Sequence, residues 1–138
     1  MPARDLTHQA VKNALEKEGW TITHDPLFIR FAQVEMFVDL GAERVIAAEK
    51  AGQKIAIEIK GFLGSSTISE FYSALGQFMS YLLALEIEHP GRILFLAVPL
   101  DIFDEFFRLE FGQMAIQRYN LKLIVYDVEN EVIRQWLH

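Results

Sequence analysis

The stretch Lys54-Ile55-Ala56-Ile57-Glu58-Ile59-Lys60 decides how the chain folds. Its residues alternate with the period of a strand: Ile55, Ile57 and Ile59 share one face, while Lys54, Ala56, Glu58 and Lys60 share the other. A loop with two glycines and two serines follows over residues 61–67. The spacing then predicts a long helix over residues 68–88, with Phe71, Leu75, Phe78 and Leu82 on one stripe that Tyr72, Met79 and Leu83 widen. Pro90-Gly91 stops it, and residues 93–98 form the unbroken apolar run expected of a buried central strand. A strand, a helix and a buried strand in this order make a mixed sheet flanked by helices.

Working outward, Ala10, Val11, Ala14 and Leu15 fall at helical spacing, so a first helix is predicted over residues 7–18, stopped by Gly19. Trp20-Thr21-Ile22-Thr23 alternates as a short strand, and Asp25-Pro26 breaks it. Residues 27–38 are apolar and β-rich without a legible register. Residues 44–49 and 54–60 read as two arms of a hairpin turning over residues 50–53. After the buried strand, Asp101 is placed to cap a Phe-rich helix that extends irregularly to Tyr119. Residues 121–126 read as a strand, and residues 132–137 as a last short helix or strand. The expected order is α-β-β-β-α-β-α-β, an α/β domain spanning residues 1–138.

Composition fits this and excludes several classes. At 138 residues, with 51% hydrophobic and 23% charged side chains, the chain is one globular domain by the prior of roughly 100–200 residues per domain. It has no cysteine, which removes disulfide frameworks, thiolate zinc sites and cysteine nucleophiles. The net charge of -6 excludes a globally basic nucleic-acid binder. No signal peptide and no run of roughly 18 apolar residues is legible, so a soluble, cytoplasmic protein without membrane contact is expected. The sequence lacks G-x-S-x-G, a Walker A motif and G-x-G-x-x-G, and its four histidines lack zinc-ligand spacing.

The chemistry-bearing residues lie in the middle of the chain. Asp39 ends the run Phe37-Val38, Glu58 and Lys60 share a strand face, and Gln77 and Tyr81 sit four apart on one helix face. A hard divalent cation needs clustered oxygen ligands, and Mg²⁺ takes one or two carboxylates with water and phosphate. Asp39, Glu58 and the backbone carbonyl of Ile59 are candidate ligands for Mg²⁺ or Mn²⁺. Lys60 is placed to orient the attacking water or to stabilise the phosphate, with Gln77 and Tyr81 as supporting catalytic residues. Alone, E-x-K on an amphipathic strand is ordinarily a solvated face. His8, on the first helix, reads most simply as a surface histidine, and His24-Asp25-Pro26 as a turn.

Asp39, then Glu58-Ile59-Lys60 on a strand, then Gln77-Phe78-Met79-Ser80-Tyr81 on a helix resembles the PD-(D/E)xK nuclease superfamily, and the Q-x-x-x-Y element its RecB-like branch. The resemblance covers about residues 7–100 and implies a restriction-endonuclease-like core of order αβββαβ. The sequence departs from the pattern in two ways: no proline precedes Asp39, and Glu58 follows nineteen residues later, a gap at the long end for that superfamily. If the hairpin pairs Glu49 with Lys54, Lys60 faces Glu43, so Glu43 is the alternative first carboxylate.

A closer resemblance covers nearly the whole chain. Residues 19–27 (Gly19-Trp20-Thr21-Ile22-Thr23-His24-Asp25-Pro26-Leu27), Val38-Asp39-Leu40-Gly41-Ala42-Glu43, Ala47-Ala48-Glu49-Lys50, residues 55–60, Ala74-Leu75-Gly76-Gln77-Phe78 and Leu96-Ala97-Val98-Pro99 are similar to the XisH family, the fdxN element excision controlling factor of cyanobacteria. That resemblance implies a part in programmed excision of a DNA element during heterocyst differentiation, beside a site-specific recombinase and a small partner called XisI. Two function classes follow. One is a Mg²⁺-dependent endonuclease; the other is a non-catalytic accessory protein on the same fold that binds DNA, the recombinase or an XisI-type partner. The Phe-rich stretch Phe103, Phe106, Phe107 and Phe111 reads as core, or as a surface for a partner or a homodimer.

Overall fold

The computed structural model describes residues 3–38, 40–44 and 52–138. Helix α1 (Ala3–Lys17) leads to β1 (Thr21–His24), β2 (Leu27–Phe31), β3 (Val34–Val38), β4 (Leu40–Arg44) and β5 (Gln53–Ile59). Helix α2 (Thr67–Glu88) crosses to β6 (Arg92–Pro99), and the short α3 (Leu100–Ile102), a wide π turn over Phe103–Phe107 and α4 (Glu110–Arg118) cross to β7 (Leu123–Asp127) and β8 (Val132–Leu137). The main sheet runs β1-β4-β5-β6-β7-β8 and is mixed: β5, β6 and β7 are parallel, and the strands outside them are antiparallel. Strands β2 and β3 form a separate two-stranded sheet. No helix among the described residues is long and apolar enough to cross a membrane.

Side-chain alternation on β5 divides the core in two. Ile55, Ile57 and Ile59 pack with Val11 and Leu15 of α1, Phe95, Tyr126 and Trp20. Ala56 points the other way, into a cluster with Phe71, Ala74, Phe78 and Leu85 of α2, Leu27, Ile29 and Val38 of the β2–β3 hairpin, and Phe103 and Phe107. The Phe-rich stretch is therefore mostly core. Phe103 and Phe107 are buried and Phe106 lies 5.3 Å from Phe71 between ring centroids, while Phe111 stays exposed although its ring touches Phe71.

Three local expectations are corrected, and two points that the sequence left open, the register of residues 27–38 and the type of the last element, are settled. The long hairpin arms pair in another register: Lys54 faces Glu43 and Leu40 faces Ile57, and residues 45–51, with Glu49 and Lys50, lie outside the described residues. The apolar stretch 27–38 is a hairpin with a two-residue turn at Ala32 and Gln33, both at positive φ. Asp101 is not a cap: Pro99 stands at the N-cap of α3 without a side-chain hydrogen bond. The helix expected to run on to Tyr119 is split by the π turn, and α4 packs so closely on it that Gly112 leaves no room for a Cβ beside the Phe106 carbonyl. The last element is a strand.

Candidate functional site

Glu58 is placed by the end of the parallel ladder. It follows Ala56 on the α2-facing side of β5, and it is buried, with 6% of its surface exposed. The face that a lone E-x-K ordinarily gives to solvent is here closed over by α2. Lys60 lies one residue past the strand. Its N–H donates to the Ala97 carbonyl at 2.9 Å, and its carbonyl accepts from the Tyr126 hydroxyl at 3.2 Å. The backbone that carries the lysine is thus held from two strands.

The loop after Lys60 returns the chain to α2. Ser66 caps the helix by accepting from the Ser69 N–H at 3.3 Å. The Glu70 carboxylate accepts from the Gly64 N–H at 2.9 Å, in space a Cβ at residue 64 would occupy. Three turns of unbroken helix then set Gln77 and Tyr81 on one face, four residues apart. The Gln77 Oε1 is buried and has no hydrogen-bond partner among the described residues.

A third group comes from the other side of the sheet's edge. His8 and Lys12, one turn apart on α1, both reach Asp25 in the turn between β1 and β2. The His8 Nε2 is 2.9 Å from Oδ1, and the Lys12 Nζ is 2.9 Å from Oδ2. Burial pushes the Asp25 pKa up, but the hydrogen bond from Lys12 and the charges of His8 and Lys12 outweigh it, leaving the carboxyl below its ordinary value. Beside Lys12, the histidine that meets Asp25 is His8, while the ring of the neighbouring His24 meets Thr23.

These pieces line one cavity of about 860 Å³. Glu58, Lys60, Gln77 and Tyr81, expected together from their spacing, share its wall with His8, Asp25 and Glu70. Asp5 also contributes a carboxylate, so the charged groups of the wall are mainly acidic and offer oxygen donors. The roles of Asp25 and Glu70 were hidden in the sequence. Asp25 reads as a turn residue, and the one local signal for Glu70 is its distance from Gly64. Asp39 lies outside the described residues. Glu43 has its backbone opposite Lys54 rather than Lys60, four residues along β5 from Glu58, or about 13 Å at strand rise. Among the described residues no three His, Asp or Glu side chains gather as a metal cluster.

Comparisons with known proteins agree on one family. The family model described as XisH protein matches residues 1–134. The crystal structure of an XisH family protein from Nostoc punctiforme is 49% identical, with a TM-score of 0.89, covering 97% of this chain and 100% of that one. The structure of a fdxN element excision controlling factor protein from Anabaena variabilis is 48% identical, with a TM-score of 0.90, covering 98% of this chain and 100% of that one. No curated protein matches the chain.

Proposed function

The chain belongs to the XisH family, and on that premise we propose that it controls excision of a DNA element as a divalent-metal-dependent nuclease with a restriction-endonuclease-like core. The observation that carries this reading is the shared wall of one cavity. Glu58 and Lys60 at the end of β5 meet Gln77 and Tyr81 of α2 there, four residues drawn from two separate segments. With the β2–β3 hairpin set aside, the element order α1-β1-β4-β5-α2-β6 supports the αβββαβ core.

The donor set fits a hard cation. Glu58 offers a buried carboxylate, Gln77 a buried amide oxygen without a partner among the described residues, and Ile59 a backbone carbonyl, with Asp39 as the further carboxylate. When bound, Mg²⁺ or Mn²⁺ would polarise the phosphate and lower the pKa of a water. The chain's own groups do the rest. Lys60, on its doubly held backbone, offers a cationic head to charge developing on the phosphate oxygens. Tyr81 and Gln77 orient that head and the substrate backbone.

The acidic cavity wall and the net charge of -6 favour a second reading, an accessory protein that meets DNA only through a recombinase or an XisI-type partner. Incubation with supercoiled, linear and branched DNA in Mg²⁺ or Mn²⁺ separates the two. Cleavage that disappears in both Glu58→Ala and Lys60→Ala supports the nuclease. No cleavage with the partner present, together with no metal binding in a calorimetric titration, leaves the accessory protein.

A further inference from the structure

Helix α2 is apolar on two sides. Phe71, Ala74, Phe78, Ala84 and Leu85 are buried in the core. On the far side Ile68, Tyr72, Met79, Leu83 and Ile87 stand 37%, 62%, 45%, 55% and 57% exposed. With Gly76 between Tyr72 and Met79, they recur every three or four residues along nearly the whole helix, the spacing of a helix–helix seam. A helix apolar on opposite sides is ordinarily covered on both, and the described residues cover only one of them. Gln77 and Tyr81 project away from the seam, so the cavity lies elsewhere.

We propose that this seam is the interface of a homodimer, in which α2 of a second copy packs antiparallel about a two-fold axis between the levels of Gln77 and Phe78. The stripe is self-complementary in that register alone. Ile68 meets Ile87 of the second copy, Tyr72 meets Leu83, and Gly76 meets Met79, each contact occurring twice as two-fold symmetry requires. Among the described residues, no atom outside the adjoining helix backbone lies within 4 Å of the place a Cβ would take at Gly76, so the notch is open to the methionine.

Charge selects the same orientation. The last turn of α2 carries Glu86 and Glu88 and no basic residue, the unfavourable sign at a helix C-terminus. In an antiparallel pair Glu86 stands beside the N-terminal end of the second copy's α2, where Glu70 is turned back to accept from the Gly64 N–H of its own chain, whereas a parallel pair would set Glu86 against its own copy. Phe111, in ring contact with Phe71, and Met114 one turn on carry the exposed surface onto α4. Side chains of this size expose on the order of the ~800 Å² per partner that a stable interface buries.

The test is the mass in solution of the intact chain and of variants. Light scattering at tens of micromolar is expected to give twice the 15.9 kDa of one chain. Leu83→Glu, which places a charge in the seam, is expected to weaken dimerisation by about a hundredfold with an unchanged circular dichroism spectrum. Because the chain has no cysteine, Tyr72→Cys and Leu83→Cys can be oxidised separately and mixed. A covalent dimer formed only in the mixture supports the antiparallel register, also where Leu83→Glu fails to fold. A monomer at every concentration would leave the face to a different protein and overturn the proposal. So would a dimer indifferent to Leu83→Glu, or a disulfide formed by Tyr72→Cys alone.

Discussion

The Tyr126 hydroxyl donates to the Lys60 carbonyl at 3.2 Å, and it does so at the level of Pro99, which pairs with Tyr126 across β6 and β7. In a parallel ladder that has already joined the Lys60 N–H to Ala97, the next bond would run from the N–H of residue 99 to the Lys60 carbonyl. Proline has no such N–H, and the tyrosine takes its place. Tyr126 is fully buried, so removing its hydroxyl leaves the carbonyl short of a donor. Tyr126→Phe is expected to lose about 1 kcal/mol in urea unfolding. It is also expected to slow metal-dependent cleavage by roughly tenfold or more, since a loosened backbone misplaces the lysine. An unchanged midpoint and an unchanged rate would show that the hydroxyl does not position Lys60.

What was legible in the sequence was what local period dictates. The alternation of residues 54–60, the apolar run 93–98 and the i, i+4 pair Gln77 and Tyr81 follow from strand and helix geometry, and the structure sets Glu58, Lys60, Gln77 and Tyr81 around one cavity. The β2–β3 register was hidden because its turn residues, Ala32 and Gln33, both take positive φ without the glycine or asparagine that announces such a turn. The register of β4 depended on the length of the connection, which composition does not fix. The contribution of Asp25 depended on α1 and the β1–β2 turn meeting across seventeen residues, a packing outcome that no short window contains.

Acid should reveal the Asp25 cluster. The folded-state pKa of Asp25 lies below the ordinary 3.8, so the pair with Lys12 and His8 stabilises the fold fully above that value. The contribution is lost as pH falls through the folded-state value. Asp25→Asn is expected to cost about 0.5–1 kcal/mol at neutral pH, the scale of a solvent-screened pair. The gap from the parent chain should close below pH 3.8 in thermal melts. A gap that persists into strong acid would mean that Asp25 acts through turn geometry rather than charge.

Mg²⁺ or Mn²⁺ should stabilise the folded chain independently of any cleavage. A ligand that binds only the native state at a hundred times its Kd adds about 2.7 kcal/mol. The parent chain is expected to melt higher with added metal, and Glu58→Ala is expected to lose the shift. Equal shifts in both would move the cation away from Glu58.

The close approach of α4 to the π turn makes Gly112 a packing constraint. A Cβ there would stand 2.5 Å from the Phe106 carbonyl oxygen and 2.6 Å from the Phe107 Cα. Both are backbone atoms that can yield only by moving α4 off the Phe103–Phe107 segment. Gly112→Ala is expected to cost about 1–3 kcal/mol, measured by urea unfolding. Gly91→Ala, where a Cβ meets nothing within 4 Å, is the matched control and should change far less.

Gln77 should separate stability from function. Its Oε1 is buried and unpartnered among the described residues, a desolvation cost that a fold selected only for stability would avoid. Methionine has similar length and no such cost. Gln77→Met is therefore expected to leave unfolding free energy unchanged or raise it by about 1 kcal/mol. If the amide oxygen serves the cavity, the same variant should lose most of the metal-induced melting shift and of the cleavage rate. A variant that is destabilised by more than about 1 kcal/mol would instead make the amide a structural group satisfied within the fold. Gln77→Glu sharpens the contrast, because it keeps the oxygen and adds charge. It should bind the cation at least as tightly as the parent, while in metal-free buffer it melts lower, the new carboxylate being buried on the cavity wall that Glu58 already shares.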